Sequence, residues 1–214
     1  MNDALPARGA RLPSAERHAL ILEAAVEEFA GRGYAGARMA AVANRAGVTK
    51  GLLYHYFPGG KTDLFRAAIA SCVAPALAEA NQLASGFAGS ARGLITALID
   101  LGYARMALEP REHILMRLLM TEADRFPELA EFYRSEILQP SLMLTRQVLR
   151  AGVESGEFRP DADSLPGLAH VLLAPILMGS VWRMTLGEGA PDAAMLRAAH
   201  LQSAMRVLLA APDG

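Results

Sequence analysis

The sequence predicts an all-α protein, and three observations support that fold class. Alanine, leucine and methionine supply most of the apolar residues, which make up 52% of the 214 residues, whereas aromatic residues make up only 6%. The first group favours helices, and strands favour the β-branched and aromatic residues that are scarce here. Apolar residues also recur at helical spacing, and glycine and proline separate the helical stretches.

The first predicted helix begins at Ser14, whose hydroxyl can cap free backbone N–H groups. Ile21, Ala25 and Phe29 then recur every four residues, which places them on one face of the helix. The glycines at positions 31 and 33 are expected to end it, because glycine readily adopts the backbone conformation that terminates helices.

Two short helices joined by a bend are predicted next. The second helix covers about residues 38–46, and the third opens at Thr49, whose side chain can cap it. Between them, Gly47 can take the positive φ that ends a helix in a tight bend. Leu53 and Phe57 lie one turn apart in the third helix and are expected to face the core.

Long helices are predicted for the remainder of the chain. Pro140 and Pro175 lie inside these stretches and are expected to kink the helices or to shift their boundaries. No internal repeat or low-complexity segment interrupts the pattern. The expected spans are 61–84, 90–108, 110–125, 128–155, 162–186 and 191–210.

Charge is distributed unevenly along the chain. Residues 1–66 carry nine lysines and arginines against six acidic residues, and the remaining residues carry twelve against sixteen. A basic segment followed by an acidic one is a hint of a polyanionic partner on one side, although the hint is weak by itself.

The segment from residue 39 to residue 57 has the pattern of a helix-turn-helix motif. Ala46 is small enough to allow two helices to approach closely, Val48 fills the angle between them, and Thr49 begins the second helix. A helix that enters the major groove with its N-terminus needs short residues at its first turn and phosphate-binding groups around it. The leading turn here is Lys50, Gly51 and Leu52, followed by Tyr54, His55 and Tyr56.

An ordered set of short motifs covers residues 17–65, about a quarter of the chain. Its members are Ile21-Leu22, Ala25 and Phe29, then Ala46-Gly47-Val48-Thr49-Lys50-Gly51, then Leu53-Tyr54-His55-Tyr56-Phe57-Pro58, Lys61 and Leu64. Together they resemble the N-terminal domain of the TetR family of transcriptional regulators. The resemblance implies an N-terminal three-helix helix-turn-helix DNA-binding domain followed by a helical ligand-binding and dimerisation domain.

The resemblance also implies contacts with double-stranded DNA, residue by residue. The positions that read bases in the family correspond here to Lys50, Gly51 and Leu52. The positions that touch phosphate correspond to Thr49, Tyr54, Tyr56 and Lys61. His55 occupies a position that can do either.

Three positions depart from the pattern of the family. Arg38 stands where a capping threonine or serine is usual, so the cap is lost but the guanidinium could reach a phosphate. Leu52 stands where a hydroxyl residue or alanine is common, and it would prefer a thymine methyl group because it cannot form a hydrogen bond. Gly59 and Gly60 lengthen the loop before Lys61 by one residue, which leaves the direction of that lysine open.

A methionine-rich C-terminal part is the predicted sensor. Eight of the ten methionines follow residue 100, and methionine adapts its shape to varied apolar guests. The resemblance implies a ligand cavity here, and we expect an apolar small-molecule effector. The candidate lining residues are Met106, His113, Met116, Met120, Tyr133, Met143, Met178 and Trp182. Core packing is the alternative for each of them, and Arg105 and Arg117 could pair with an anion or form salt bridges.

The stretch from Ser164 to Trp182 contains no charged residue. It is long enough to raise the alternative of a transmembrane helix, but it contains two prolines, two glycines and a histidine. A helix that is apolar on all sides is otherwise one that is buried on all sides. The resemblance assigns this stretch and residues 192–209 to the last two helices, through which two subunits pair. We therefore expect a homodimer and no membrane span.

Enzyme chemistry has no visible anchor in the sequence. None of the five histidines follows a glutamate by three positions, as a di-iron bundle requires, and the His-Glu-x-x-His and Gly-x-Ser-x-Gly motifs and the phosphate-binding glycine loops are missing. The one cysteine, Cys72, excludes an internal disulfide and fits a reducing cytoplasm. We expect a cytoplasmic protein that is not an enzyme and that has neither cofactor nor metal.

The expected function is that of a ligand-responsive repressor, which leaves a palindromic operator when a small molecule binds. Two alternatives stay open: an activator of the same architecture, and a helical ligand-binding dimer without operator function. The expected organisation is a disordered arm (1–13), a helix-turn-helix DNA-binding domain (14–61) and a ligand-binding and dimerisation domain (62–214).

Overall fold

The computed structural model describes residues 13–108 and 112–209, and it confirms the all-α fold class. The predicted arm lies outside these ranges apart from Pro13. Within them the chain forms ten α-helices and no strand. The helices are Ser14–Gly36 (α1), Met39–Arg45 (α2), Lys50–Tyr56 (α3), Lys61–Gly86 (α4), Ala91–Leu108 (α5), Glu112–Glu122 (α6), Pro127–Tyr133 (α7), Gln139–Glu154 (α8), Leu168–Leu186 (α9) and Ala193–Leu208 (α10).

The chain divides into two compact units, residues 1–68 and residues 69–214. The division falls within α4, so residues 61–68 of that helix belong to the first unit. The first unit also contains helices α1 to α3. The second unit contains the remainder of α4 and helices α5 to α10.

The core of the first unit is built from the inner faces of short helices. Ile21, Phe29 and Leu53, which helical periodicity predicts to face inward, are almost completely buried, so that prediction is confirmed. The rings of Phe29 and Tyr34 both meet the ring of Phe65 edge to face, at centroid distances of 5.2 and 5.0 Å. This arrangement is favourable because the positive edge of one ring points at the negative face of the other.

A buried carboxylate joins α1 to α2. Glu28 is 2% exposed, and its Oε1 accepts a hydrogen bond of 3.2 Å from the backbone N–H of Arg38, the residue that precedes α2. Arg32 Nε lies 3.5 Å from Glu28 Oε1, and Arg45 Nη2 lies 3.7 Å from its Oε2. Arg38 provides no side-chain cap, as predicted, and the carboxylate of another helix satisfies its backbone donor instead.

The core of the second unit packs α5, α8, α9 and α10 against one another. Glu157, in the loop after α8, accepts hydrogen bonds from the backbone N–H groups of Ala91 (2.9 Å) and Arg92 (3.0 Å) and so caps α5. These bonds lower the pKa of its carboxyl group, because they stabilise the charged form. Arg197 on α10 forms a bidentate ion pair with Asp100 on α5.

The predicted helix 128–155 contains a π-helical turn at Arg134–Leu138. The N–H of Gln139 donates to the carbonyl of Arg134, five residues back. Pro140 follows directly, and a proline removes one helical donor and crowds the carbonyl four residues before it. The wider turn therefore accommodates Pro140, and the chain continues directly from it into α8.

The predicted helix 162–186 begins six residues later, at Leu168, so the predicted start is wrong. Pro166 disfavours helical geometry for Leu165 before it. Gly167 then adopts a φ of 82°, a left-handed conformation that favours glycine. Residues 160–167 consequently form turns, and the helix starts only after this glycine.

Helix α9 is apolar but poorly covered. Within the described residues it is the one helix whose length and composition would allow it to cross a membrane, and only 22% of its apolar stretch is buried. Val171, Met178, Trp182 and Leu186 are exposed by 63, 45, 36 and 54% of their surface. The expectation that this stretch is buried on all sides is therefore not met within a single chain.

A glycine in α8 permits close packing in the second unit. A Cβ atom built on Gly152 would lie 2.0 Å from the ring of Phe158, which is itself buried. No real contact is that short, so this ring and this helix can meet only where the helix has no side chain.

Two polar side chains, Tyr103 on α5 and His200 on α10, are buried in the second unit. Tyr103 and His200 are 4 and 6% exposed, and their ring centroids lie 5.9 Å apart. Tyr103 Oη has no hydrogen-bond partner among the described residues. Burial lowers the pKa of His200 from its ordinary value of 6.5, because removal from water penalises the charged ring.

Substitution of Gly152 by alanine is expected to lower the free energy of unfolding by roughly 1–3 kcal/mol, because the added methyl group overpacks the site. This loss should exceed the gain of about 1 kcal/mol in helix propensity. Urea unfolding followed by circular dichroism measures the difference. Gly31→Ala is the matched control, since a Cβ built at that position would meet no heavy atom within 4 Å, and it should be neutral or stabilising. Equal effects of the two substitutions would contradict the packing argument.

The buried His200 is expected to make stability depend on pH. Because its pKa is lowered in the folded state, its contribution is fully present above pH 6.5, the value in the unfolded chain, and is lost as the pH falls below it. The free energy of unfolding should therefore decrease between pH 8 and pH 5 more in the wild type than in His200→Leu. Both proteins are measured by urea unfolding at one protein concentration, and parallel pH profiles would show that His200 is not the cause.

Candidate functional site

The bend between α2 and α3 has the hydrogen bonds of a Schellman motif. The N–H of Gly47 donates to Asn44 O at 3.2 Å, and the N–H of Val48 donates to Ala43 O at 3.0 Å. Gly47 has a φ of 65°, which confirms its predicted conformation. Thr49 Oγ1 accepts the N–H of Leu52 at 3.2 Å and caps α3, as predicted. The bend thus fixes the direction of α3 through backbone geometry.

Helix α3 buries one side and exposes the other. Leu53 is completely buried, whereas Lys50, Gly51, Tyr54 and His55 are exposed. Lys50 Nζ lies 5.8 Å from the centre of the Tyr54 ring, a cation–π contact on the outer face. The exposed face therefore presents a cation, a hydroxyl group and an imidazole from the first turn onward.

The remaining residues predicted on this helix are partly covered. Leu52 and Tyr56 are half-buried. The Tyr56 hydroxyl lies 2.8 Å from Ser14 Oγ, at the start of α1, and its ring lies 5.8 Å from that of His18. Tyr56 therefore joins the end of α3 to the beginning of α1, and its hydroxyl group stays near the surface.

Lys61 is held by the C-terminal end of α1. Its Nζ donates to the carbonyl oxygens of Tyr34 (2.8 Å), Ala35 (3.1 Å) and Ala37 (3.4 Å). It also lies 5.0 Å from the centre of the Tyr34 ring. An ammonium group has three donors, so these three carbonyls can take all of them. Sequence reasoning missed this role, because residues 34–37 carry no side-chain signal for it.

The loop before α4 is closed by a carboxylate. Asp63 Oδ2 accepts the backbone N–H of Gly59 at 2.6 Å, and a Cβ on Gly59 would lie 2.5 Å from that carboxylate. The extra glycine therefore has a steric reason in this chain. Arg38, at the other edge of the motif, is exposed.

The second unit contains a cavity of about 230 Å³. Helices α4, α5, α7, α8 and α9 and the π-helical turn all contribute to its lining. Most of the lining is aliphatic, with Leu98, Leu144 and Ile176 as examples, and Gly102 keeps α5 close to α9, since its Cβ would lie 2.7 Å from Ile176. The cavity therefore suits an apolar guest.

The polar groups of this lining are few, and most are already used. Ser141 Oγ donates to Ile137 O at 2.8 Å, and Thr145 Oγ1 donates to Ser141 O at 2.9 Å, each within its own helix. Burial raises the pKa of Tyr133, so its hydroxyl group stays neutral at physiological pH. Arg105 carries the charge in the lining, and its Nε donates to Glu79 Oε2 at 2.9 Å.

The structure does not bring the predicted ligand-binding residues together. Tyr133 lines the cavity, but Met120 and Met143 are 54 and 58% exposed. Met143 lies between Leu142 and Leu144, and one residue turns a helix by about 100°, which points it away from both inner faces. Met178 and Trp182 lie on the exposed side of α9.

The other predicted residues lie elsewhere. His113 borders an open cleft beside the 3₁₀ turn after α9, Met116 is half-buried in α6, and the side chain of Met106 lies outside the described part of the chain. Sequence reasoning missed most of the lining, because a leucine or isoleucine that lines a cavity cannot be distinguished by sequence from one in a packed core. The only local signal is the group of small residues within apolar helices, such as Gly102, Thr145 and Ser180.

An apolar stripe runs along α9. Val171, Pro175, Met178 and Trp182 follow one another at helical spacing and border a groove between α9 and α10. Tyr103 and His200 contribute to the same groove. Among the described residues, no group of three or more histidine, cysteine or acidic side chains is arranged to hold a metal ion.

Comparison with known proteins identifies the family. Residues 21–68 match the family described as bacterial regulatory proteins, tetR family, and residues 87–201 match the family described as the tetracyclin repressor-like C-terminal domain. The second match alone covers more than half of the chain. A curated relative, the HTH-type transcriptional activator FasR of Mycolicibacterium smegmatis, is 47% identical over 62 residues. That match covers 29% of this chain, and the chain spans only 28% of the relative's length.

Solved structures share the whole fold. A transcriptional regulator from Pseudomonas aeruginosa PAO1 has a TM-score of 0.77 at 20% identity, covering 94% of this chain and 95% of that one. A regulator from Saccharomonospora viridis in complex with choline has a TM-score of 0.72 at 23% identity (92% and 100%). FadR from Bacillus subtilis in complex with stearoyl-CoA has a TM-score of 0.70 at 21% identity (88% and 97%). With both of its parts matched, the chain belongs to the TetR family of transcriptional regulators.

Proposed function

We propose that this regulator is a homodimer that binds a palindromic operator through α3 and is released from it by an apolar small molecule. The observation that carries the proposal is the face of α3. Thr49 caps this helix, and the bend at Gly47 sets its direction. Its outer face is exposed from Lys50 onward. A helix with this geometry can enter a major groove with its N-terminus.

The proposed base contacts come from the first turn of α3. Lys50 can donate to a guanine, and a Cβ built on Gly51 would meet no atom of the protein within 4 Å. Nothing within the chain thus requires glycine there, which supports a close approach of this backbone to a base. Leu52 is half-buried and suits contact with a thymine methyl group rather than a hydrogen bond.

The proposed phosphate contacts surround that turn. Thr49, Tyr54 and His55 are exposed beside it, Arg38 is exposed at the start of α2, and the Tyr56 hydroxyl would share its hydrogen bonds with Ser14. Lys61 fits this role least well. Its ammonium group would have to give up a carbonyl, most easily that of Ala37 at 3.4 Å, so we assign it mainly to positioning the start of α4 against the end of α1.

The proposed dimer interface is the face formed by α9 and α10. The residues Val171, Met178 and Trp182 form an exposed apolar stripe, and large exposed apolar surfaces of soluble proteins are often sites of protein–protein association. Covering by a second copy would complete the burial that the sequence predicts for α9. Two subunits also have a geometric purpose, because two reading helices must reach half-sites one helical turn, about 34 Å, apart. An interface, rather than a membrane span, is consistent with a cytoplasmic DNA-binding protein.

The proposed effector site is the cavity lined by Tyr133 and Ile176. Neighbouring folds hold stearoyl-CoA in one case and choline in another, so the architecture accepts both an acyl chain and a small cation. The aliphatic lining of this cavity favours an apolar body. Ala76, Leu77, Ala80 and Asn81 of α4 reach the cavity, and the same helix begins in the first unit at Lys61. We propose that ligand binding shifts the population of α4 arrangements, with a coupling of about 1–3 kcal/mol.

Activation is the second candidate for the regulatory outcome. The relative that shares 47% identity over 62 residues is named an activator. A helix-turn-helix unit serves both outcomes, since the effect on transcription depends on where the operator lies. Measuring transcription from the bound promoter with and without the protein distinguishes the two.

Lys50→Ala is expected to weaken operator binding by roughly 1–3 kcal/mol, because a side chain that reads a guanine is lost. The operator is first selected from random DNA, and affinity is then measured by fluorescence anisotropy at fixed salt. Arg150→Ala removes an exposed arginine of α8 in the second unit and should leave affinity unchanged. Full operator affinity in Lys50→Ala would contradict the assignment, and failure of the wild type to bind any DNA at low salt would favour a ligand-binding dimer without operator function.

Trp182→Glu is expected to shift the protein from dimer to monomer, because a charge would be placed in the apolar interface. Analytical ultracentrifugation over a range of concentrations measures the shift. Gln147→Glu adds the same charge at an exposed position of α8 and should leave the dimer intact. If Trp182→Glu remained as dimeric as this control, the α9–α10 face would not be the interface.

A further inference from the structure

One charged side chain borders the otherwise neutral cavity. Among the described lining residues, Arg105 is the only lysine, arginine, aspartate or glutamate. Its side chain is 23% exposed, so the guanidinium lies at the edge of the cavity rather than in its centre. A charge beside apolar walls is costly unless a partner neutralises it. In this structure one such partner is Glu79, through Nε at 2.9 Å and through Nη2.

The carboxylate of Glu79 is the more exposed member of this pair. Its side chain is 49% exposed, and it belongs to the lining of a neighbouring open cleft rather than of the cavity. Solvent-exposed ion pairs contribute little to stability. The Glu79 side chain can therefore rotate toward the solvent, at a small cost in free energy, when another anion takes its place on Arg105.

We propose that Arg105 selects effectors that carry a carboxylate on an apolar body, and that the effector's carboxylate replaces Glu79 on the guanidinium. The proposal rests on the effector site proposed above and names the ligand class of that site. An arginine fork matches a carboxylate with two parallel hydrogen bonds. The interaction is stronger at the edge of an apolar cavity than in open water, because the local dielectric constant is lower.

The cavity limits the size of the apolar body. An apolar cavity of about 150 Å³ accepts benzene, so the 230 Å³ here corresponds to about nine heavy atoms by simple proportion. The hydroxyl groups of Ser141 and Thr145 already donate to their own helix. Arg105 is the one cation among the described lining residues, so the geometry favours a single carboxylate at the Arg105 end of an apolar body of about this size.

Three probes with the same apolar body separate the ligand classes: octanoate, 1-octanol and octylammonium. Isothermal titration calorimetry with the full-length protein measures their affinities at pH 7.5. We expect octanoate to bind most tightly. Tighter binding of octylammonium would overturn the proposal, because it would make Glu79 the recognising group.

Three variants then test the role of each charge. Arg105→Gln should weaken octanoate binding roughly 10- to 100-fold, the size expected for hydrogen bonds to a charged group, and should leave 1-octanol unchanged. Glu79→Gln should strengthen octanoate binding, because the competing carboxylate is gone, whereas a purely structural ion pair predicts no gain. Arg150→Gln, on the exposed face of α8, is the matched control and should change neither affinity.

The outcomes separate this inference from the proposed effector site. Leu144→Trp fills the cavity, and Ile176→Ala enlarges it, so the first should block every probe and the second should favour decanoate over octanoate. If the probes bind, respond to these two variants and ignore Arg105→Gln, the effector site stands and the carboxylate selection is overturned. If neither cavity variant changes binding, or no probe binds, the effector site itself is overturned together with the selection.

Discussion

The buried carboxylate of Glu28 is the constraint on which the direction of α3 depends. It accepts the backbone N–H of Arg38 and lies within 3.7 Å of Arg45 Nη2, so both ends of α2 are tied to α1. Because the Glu28 carboxylate is almost completely buried, losing one of its partners would leave a poorly compensated charge away from water. Helix α3 then follows from α2 through the bend at Gly47. The direction of the exposed lysine at position 50 is therefore set by an interaction inside the first unit, away from the face itself.

The sequence predicts the first unit well because its constraints are local. Gly47 needs a positive φ, Thr49 needs a free N–H to cap, and Ile21, Phe29 and Leu53 follow helical periodicity. Each of these can be recognised within a few residues. The role of Lys61 could not be predicted in the same way, because its partners are backbone carbonyls 24–27 positions earlier. Backbone acceptors have no residue type, so neither composition nor spacing reveals them.

The functional features of the second unit are harder to predict, because they depend on packing between distant helices rather than on local constraints. Glycine and proline predict most of its helices and breaks, but no pattern in the sequence predicts the cavity. Methionine content indicates adaptable surfaces, yet Met120 and Met143 are exposed and Met178 lies on the α9 stripe. A cavity is a property of the space between five helices, and it depends on their packing angles. The small residues Gly102 and Thr145 create part of that space, but small residues are equally common where helices pack closely.

Helix α9 borders the cavity on one side and the α9–α10 groove on the other, and this links the two proposals about the second unit. One side contributes Leu173, Ile176 and Ser180 to the cavity, and the other presents Val171, Met178 and Trp182 to the groove. Because packed interiors transmit strain, a guest that shifted α9 at Ile176 would also shift the apolar stripe on its other side. Ligand binding and subunit pairing would then share one element. In the proposed dimer, an effector would then influence subunit pairing through α9.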